Sequence, residues 1–129
     1  MKNTIKNNMN KLLGKLGEII ASKEIIKKGF ILKHRNYHSR YGEIDLVFLS
    51  KKDPKFLLFC EVKTRRVKKK ESLEVLSKNQ IQKIIKTIFV FIEKSSYNDF
   101  KWQLDLIMIQ FDLRNLKKHF FHYKNILNE

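Results

Sequence analysis

The stretch that decides the fold runs from Gly42 to Arg66 and reads GEIDLVFLSKKDPKFLLFCEVKTRR. Its two apolar segments flank a polar middle, which predicts two strands joined by a turn. The first strand carries Glu43 and Asp45, and the second carries Glu61 and Lys63. Carboxylates on apolar strands are costly to place near a core unless something charged binds beside them. The stretch therefore indicates a site for a charged ligand.

The rest of the chain adds two helices, two further strands and a C-terminal tail to this hairpin. The predicted elements are a helix over Asn8–Lys28, strands over Phe30–Asn36, Glu43–Leu49 and Phe56–Lys63, a helix from about Ser77, a strand over Phe100–Asp112, and a tail, Arg114–Glu129, with a short edge strand. Ser77 and Gln80 fit a capping box, and the apolar run before Glu61 predicts a central strand. The order αβββαβ predicts one α/β domain over residues 1–129, a mixed sheet flanked by helices, with 1–7 and 124–129 frayed.

The first helix has two apolar stripes of different character. Leucines and isoleucines form one stripe, and Gly14, Gly17, Ala21 and Ile25 form the other. Each glycine weakens a helix by ~1 kcal/mol relative to alanine, so we interpret the second stripe as a face that approaches another backbone closely. That packing would carry Glu18 inward beside the sheet. The alternative is an ordinary solvated glutamate.

Charge and composition limit the class of protein. The formal net charge is +15, from 28 Lys and Arg against 13 Asp and Glu. This excess favours a polyanionic partner, with nucleic acid ahead of an anionic membrane, although genome composition could also enrich lysine. The single cysteine, Cys60, requires no oxidising compartment and is interpreted as a small core residue. No apolar run approaches the ~20 residues of a membrane span, and no signal peptide is apparent, so we expect a cytoplasmic protein without membrane contact.

The acidic strands predict a site for a divalent metal ion. Residues i and i+2 of a strand share a face, so Glu61 and Lys63 point the same way, as do Glu43 and Asp45. If the strands are neighbours, Asp45 and Glu61 converge on one cation. Hard oxygen ligands suit Mg²⁺ or Mn²⁺. The Val62 backbone carbonyl would be a third ligand.

The remaining groups would act on a phosphodiester bound at that ion. Lys63 could orient a water nucleophile or neutralise charge on the phosphate, and Glu18 could complete the acidic shell. The alternative is a structural ion pair, because a Glu-x-Lys step is common and is worth little at a surface. A motif of similar shape, Asp53-Pro54-Lys55, lies in a polar turn with no apolar strand behind it and is rejected.

Basic and aromatic residues extend the candidate site. Six of the eight residues from Lys63 to Lys70 are Lys or Arg. We expect this segment to follow a nucleic-acid backbone, with contacts from Lys63, Arg65, Arg66, Lys68, Lys69 and Lys70; the alternative is a solvated charge run. Three aromatic residues, Tyr37, Tyr41 and Trp102, could stack on bases, but we favour the interpretation that they are buried or half-buried packing residues. The His34/His38 and His119/His122 pairs offer too few ligands for zinc.

Several motifs together resemble a known bacterial family. They are G-x-x-G-E-x-x-A at Gly14–Ala21, Arg35-Asn36, GEIDL at residues 42–46, EVKTR at residues 61–65, and the segments Gln103–Ile107 and His122–Asn125. These motifs resemble the family typified by YraN, which belongs to the PD-(D/E)XK nuclease-like superfamily, close to archaeal Holliday-junction resolvases. Gln103 stands where that family usually has Arg.

The resemblance implies an αβββαβ core and Mg²⁺- or Mn²⁺-dependent phosphodiester hydrolysis. It matches Asp45 and Glu61 to the metal-binding acids, Lys63 to the catalytic lysine, and Glu18 to the helix-borne acid. It also places Lys78 loosely in a basic motif of the second helix. Related resolvases work as pairs of subunits, so the resemblance suggests a homodimer.

We therefore expect a metal-dependent nuclease, with DNA favoured over RNA and a structure-selective DNA endonuclease as one form. The main alternative is a non-catalytic nucleic-acid-binding module of the same fold. A third class is a structural protein that docks on an acidic partner. The acidic residues beside Lys63 favour the nuclease, because a pure binder gains nothing from carboxylates that face phosphates.

Overall fold

A computed structural model describes residues 2–67 and 76–128 of the chain. The elements are α1 (Lys2–Lys27), β1 (Phe30–His38), β2 (Glu43–Ser50), β3 (Phe56–Arg66), α2 (Lys78–Lys94), β4 (Lys101–Asp112) and β5 (Lys117–Tyr123). The order αβββαβ is thus confirmed, with β5 as the predicted edge strand. The predicted phosphate contacts at Lys68, Lys69 and Lys70 lie outside the described residues.

The five strands form one mixed sheet in the order β1-β2-β3-β4-β5. Neighbouring strands are antiparallel except for β3 and β4, which are parallel. A parallel pair needs a crossover connection, and α2 supplies it. The sheet divides the core in two, with α1 packed on one face and α2 on the other. The α/β class is confirmed, and β3 is the central strand as predicted.

Helix α1 packs through its small residues, as the glycine spacing predicts. Gly17, Ala21, Ser22 and Ile25 are its buried positions. A Cβ atom added at Gly17 would overlap the side chain of Thr64 in β3. The other stripe is divided: Leu13 and Ile20 pack against the core on the α1 side, whereas Leu12, Leu16 and Ile19 are exposed.

The helix starts earlier than expected. It begins at Lys2 rather than near Asn8, so the predicted fraying of residues 2–7 is replaced by one and a half turns of helix. The sequence of residues 2–7 did not indicate a helix, because its polar asparagines interrupt the apolar periodicity on which the prediction depended. The helix ends as expected: the Gly29 N–H donates to the Ile26 carbonyl, and the φ of Gly29 is 98°.

The second helix and the C-terminal segment are also fixed by specific hydrogen bonds. Ser77 caps α2, with both hydrogen bonds of the capping box to Gln80 present. The segment predicted to be loose after β5 is bound to the sheet, because the Ile126 N–H donates to the Leu104 carbonyl at 2.9 Å. Ile126 and Leu127 pack against the core on the α2 side. Tertiary contacts thus order a segment that has no strong propensity of its own.

The sheet opens at one point, and this opening positions the candidate site. The pairing of β2 with β3 ends at Leu46 and Cys60, whereas the pairing of β3 with β4 continues to Arg66. Beyond Cys60 the β2 side of β3 is therefore free of strand pairing. Cys60 itself is fully buried, in agreement with its predicted core position. Within residues 2–67 and 76–128, neither helix could cross a bilayer.

Candidate active site

Asp45 lies in the opening between β2 and β3. Its Oδ2 atom accepts a hydrogen bond from the Val62 backbone N–H at 2.7 Å. This bond takes the place of a ladder bond that β2 no longer provides. The N–H and C=O of one residue in an extended strand point to the same side, so the Val62 carbonyl also faces the opening. The predicted grouping of Asp45 with the Val62 carbonyl is thus consistent with the backbone geometry.

The strand alternation breaks at Asp45. Ile44 packs with the α2-side core and Leu46 with the α1-side core, although the two residues are only two positions apart. Regular alternation, which we assumed in placing Glu43 and Asp45 on one face, is therefore interrupted here. Glu43 is exposed, and its Oε2 atom lies 3.3 Å from His38 Nδ1. Asp45 alone turns into the opening.

Glu61 faces Asp45 across this opening. The two side chains share a hydrogen bond, and burial together with the nearby Asp45 charge raises the pKa of Glu61 to about 10. Two carboxylates can share a hydrogen bond only if one of them holds a proton. Asp45 and Glu61 together therefore carry one negative charge rather than two. A bound cation would take the place of the proton on Glu61.

Lys63 completes this group on β3. It lies two residues beyond Glu61 and on the same face of the strand, as predicted. Its positive charge acts on Glu61 and opposes the rise in the carboxyl pKa. The structure thus brings Asp45, Glu61, Lys63 and the Val62 backbone together at the sheet opening.

Glu18 lies beside this group on the α1 side of the sheet. Partial burial raises the pKa of Glu18, and the Asp45 charge adds to the rise, while a hydrogen bond from Asn36 opposes it. An open cavity of about 240 Å³ is lined by Glu18 together with Lys15, Arg35 and Asn36. The prediction that the glycine face carries Glu18 toward the sheet is confirmed. Glu18, on the α1 side of the sheet, feels the charge of Asp45 in the opening.

Asn36 was not among the predicted site residues. Arg35 and Tyr37 pair with Leu46 and Ile44, so Asn36 stands opposite Asp45. Its φ angle of 50° lies in the left-handed region, which asparagine adopts more readily than most residues. The signal in the sequence was the Arg35-Asn36 motif, which is one of the motifs that carry the family resemblance. This conformation accompanies the break in alternation that directs Asp45 into the opening.

The donor groups fit a hard divalent ion. Within the described ranges, no three acidic, histidine or cysteine side chains stand close enough together to enclose a metal. Mg²⁺ does not need such a cage, because it keeps several water ligands and is usually bound by one or two carboxylates plus substrate phosphates. Asp45 and Glu61, already in hydrogen-bond contact, supply those carboxylates. Glu18 does not join them directly.

The predicted phosphate-binding residues lie around β3 and α2. Arg65 is half-buried, and its guanidinium donates to the Thr64 carbonyl at 2.7 Å. Arg66 is also half-buried and donates to the Met9 sulfur at 3.2 Å. Lys78 is exposed at the first turn of α2. Whether these residues contact nucleic acid stays a prediction.

The histidines do not pair in the ways that their sequence spacing suggests. His122 Nε2 lies 2.7 Å from a buried Asp105 carboxylate oxygen, and the Lys28 ammonium lies 2.8 Å from His122 Nδ1. Gln103 and the Asn125 backbone N–H donate to the other Asp105 oxygen. Burial raises the pKa of Asp105, but these hydrogen bonds outweigh it and leave the pKa lowered. The cluster anchors the C-terminal segment to β4.

Replacing Glu61 with Gln is expected to stabilise the metal-free protein at neutral and alkaline pH. The pKa of Glu61 is about 10 in the fold against 4.5 in the unfolded chain. The folded state therefore binds the extra proton, and stability falls as pH rises between these two values. Glutamine donates the same hydrogen bond to Asp45 without titrating. We expect a gain of up to about 5 kcal/mol at pH 8, from 3.5 pH units above 4.5 at about 1.4 kcal/mol each, and this gain vanishes near pH 4.5.

Urea unfolding in EDTA at several pH values measures this difference. The Glu24→Gln variant serves as the control, because the Glu24 side chain, 41% exposed, pairs with Lys27 at the surface. A difference between Glu61→Gln and the wild type that stays constant with pH would contradict the shared proton.

Comparison with known proteins shows what the chain is related to. Residues 17–112 match the uncharacterised protein family UPF0102. The UPF0102 protein of Campylobacter fetus subsp. fetus (strain 82-40) is 39% identical over 99 residues, which cover 77% of this chain and 84% of that protein. A UPF0102 protein of Campylobacter jejuni subsp. jejuni (serotype O:23/36, strain 81-176) is 42% identical over 101 residues, covering 78% of this chain and 85% of that protein.

A more distant relative gives the same result over a longer alignment. The UPF0102 protein of Clostridium tetani (strain Massachusetts / E88) is 36% identical over 110 residues, which cover 84% of this chain and 88% of that protein. The matched region contains α1 from Gly17 onward and every strand up to Asp112. The chain therefore belongs to the uncharacterised protein family UPF0102.

Proposed function

We propose that this protein is a metal-dependent nuclease of the PD-(D/E)XK type that hydrolyses phosphodiester bonds in nucleic acid. The observation that carries the proposal is the convergence of Asp45, Glu61 and Lys63 at the opening of the sheet. Asp45 and Glu61 are in hydrogen-bond contact, and the Lys63 charge acts on the same pair. A half-buried pair of carboxyl groups beside a lysine, with the pKa of Glu61 raised to about 10, is typical of a functional site rather than of a stabilising ion pair.

The donor set assigns a role to each residue. Asp45, Glu61 and the Val62 carbonyl would hold Mg²⁺ or Mn²⁺. The ion, when bound, would polarise a phosphoryl oxygen and acidify a water molecule. Lys63, with three donors and no acceptor, would hold the attacking water or a phosphate oxygen in place. Glu18 would add negative charge on the α1 side of Asp45.

The overall reaction balances without any redox partner. A water oxygen forms a bond to phosphorus, and the bond from phosphorus to the leaving oxygen breaks. The proton that the water loses is gained, overall, by the leaving oxygen. The products are a phosphate monoester end and a hydroxyl end. The net charge of +15 would favour binding of a polyanionic strand around the acidic centre.

Metal-dependent cleavage of DNA tests this proposal directly. Labelled branched, duplex and single-stranded DNA, and RNA of the same sequences, would be incubated with the purified protein in Mn²⁺, Mg²⁺ or EDTA. We expect cleavage in Mn²⁺ and Mg²⁺ and none in EDTA, with DNA cut faster than RNA. Absence of cleavage of every substrate by a folded preparation, or cleavage that persists in EDTA, would overturn the proposal.

A non-catalytic nucleic-acid-binding module is the second candidate. The observation that favours it is that the described residues contain no cluster of three metal-binding side chains. A module of this kind would bind nucleic acid without metal, and its affinity would fall steeply with salt. Its binding would survive Lys63→Ala. Cleavage in Mn²⁺ that requires Asp45 would exclude this candidate.

A further inference from the structure

Tyr41 differs from the other two aromatic residues that could stack on bases. Tyr37 packs against Phe91 with ring centroids 5.0 Å apart, and Trp102 packs against Phe59 at 6.0 Å. Both rings are therefore part of the hydrophobic core on the α2 side. Tyr41 is half-buried as they are, but within residues 2–67 and 76–128 it belongs to neither hydrophobic core cluster, and its ring contacts two cations instead.

The two cations lie over the Tyr41 ring. The Arg40 guanidinium carbon is 4.8 Å from the ring centroid, and the Lys86 ammonium is 5.5 Å from it. Arg40 also donates a hydrogen bond to the Tyr41 hydroxyl at 2.6 Å. Within residues 2–67 and 76–128, neither cation forms an ion pair with an acidic side chain. Two positive charges thus lie over one aromatic ring, and a depression beside them adds one more cation, Lys94, and one acid, Glu93.

The turn that carries Tyr41 is held firmly on α2. The Ser39 hydroxyl lies 2.8 Å from that of Thr87, which is fully buried and itself donates to the Lys83 carbonyl. The Ser39 N–H donates to the Gly42 carbonyl at 2.8 Å. Gly42 packs closely on Lys83, so that a Cβ added there would lie 3.5 Å from the lysine Cβ. The ring is therefore presented by a braced turn, which lowers the entropic cost of binding.

The position of the turn connects this cluster to the candidate active site. Tyr41 precedes Glu43 by two residues and Asp45 by four, so the chain between Tyr41 and Asp45 spans at most roughly 13 Å. An open depression of about 690 Å³ lies beside the turn and is lined by Arg40, Tyr41 and residues from the last turns of α2. A nucleic-acid strand that reaches Asp45 can therefore also reach the ring.

We propose that Arg40, Tyr41 and Lys86 form a subsite for one unpaired nucleotide next to the scissile phosphate. This inference rests on the proposed nuclease function. The cations take the phosphate, and the Tyr41 ring, or the Arg40 guanidinium stacked on it, takes the base. Stacking requires a base that is free of its partner strand, so the subsite selects single-stranded or frayed substrate over continuous duplex.

Binding measurements without catalytic metal test the subsite separately from cleavage. Fluorescence anisotropy in EDTA would compare three labelled probes of about 12 nucleotides: single-stranded oligothymidylate, an abasic oligomer of the same length, and a duplex. We expect Tyr41→Leu to weaken binding of oligothymidylate roughly 5- to 100-fold and to leave binding of the abasic oligomer and the duplex within about 2-fold.

Three control variants separate the ring from charge and from folding. Tyr41→Phe keeps the ring and should bind as the wild type does. Phe89→Leu removes another exposed aromatic side chain on α2 and should have no effect. Lys86→Gln should weaken all three probes, whereas Lys101→Gln, at the far end of the strands, should change binding much less.

Two results would overturn the subsite. One is an equal effect of Tyr41→Leu on the abasic oligomer and oligothymidylate, or no effect on either. The other is a wild type that does not prefer oligothymidylate to the abasic oligomer. Loss of cleavage alone would remove the nuclease proposal but leave a ring-dependent preference for bases standing. Cleavage without that preference would remove the subsite alone.

Discussion

Asp45→Asn is expected to lower the rate of DNA cleavage in Mn²⁺ by roughly 100- to 1000-fold or more. The substitution removes the charge that a divalent ion needs. It keeps an oxygen that can accept the hydrogen bond from the Val62 N–H, which Asp45 accepts at 2.7 Å. The opening between the strands should therefore keep its shape, and the loss of activity should reflect chemistry rather than unfolding. Initial rates on labelled DNA measure this effect.

Two further variants distinguish the roles of the charged groups. Lys63→Ala is expected to lower cleavage to a similar degree while leaving Mn²⁺ binding intact, because lysine contributes no metal ligand. Asp53→Asn is the matched control, because Asp53 lies in the exposed turn between β2 and β3. We expect this variant to cut DNA at the wild-type rate. Equal rates for Asp45→Asn, Lys63→Ala and the wild type would refute the catalytic role of the sheet opening.

Gly17→Ala is expected to destabilise the protein by about 2–3 kcal/mol, the second large effect. Alanine normally stabilises a helix by ~1 kcal/mol relative to glycine. Here the sign reverses, because the added methyl group would overlap the Thr64 side chain, with Ile109 close behind it. Either α1 must move away from β3 or Thr64 must leave its rotamer. Both changes disturb the packing beside Glu18.

Gly14→Ala is the matched control in the same helix. A Cβ at Gly14 meets only the Thr64 hydroxyl oxygen at 4.0 Å, so this variant should gain up to ~1 kcal/mol. The double variant Gly17→Ala with Thr64→Ala should recover most of the loss, since the overlapping methyl group is gone. Urea denaturation measures all four proteins, and equal stabilities of Gly14→Ala and Gly17→Ala would contradict the close packing.

The elements of the fold follow from the sequence because their signals are local. Apolar runs, the Ser77 capping box and the Gly29 terminus each depend on neighbouring residues. The burial of the glycine stripe could be predicted as well, because glycines in a helix need a packing reason. The start of α1 at Lys2 could not, since it lies in an asparagine-rich segment without apolar periodicity.

The candidate site was only partly predictable from the sequence, for a physical reason. Spacing identified Asp45, Glu61 and Lys63, because strand neighbours place them together. Asn36 lies opposite Asp45 and has a left-handed backbone conformation. The regular alternation of side chains along a strand does not predict such a conformation. The His122–Asp105 pair joins positions 17 residues apart in the chain through the pairing of β4 with β5. Such long-range partners appear only when the sheet register is known.

The covering of β4 by β5 has a consequence for any attempt to trim this protein. The match to the family model extends to Asp112, before β5 begins at Lys117. A fragment cut there would leave the backbone of β4 bare along one edge, with the buried Ile107 and Ile109 in the middle of it. A long, flat, apolar edge is a template for intermolecular strand addition. A fragment that ends at Asp112 is therefore expected to aggregate, because it lacks the seven residues of β5 that pair with this edge.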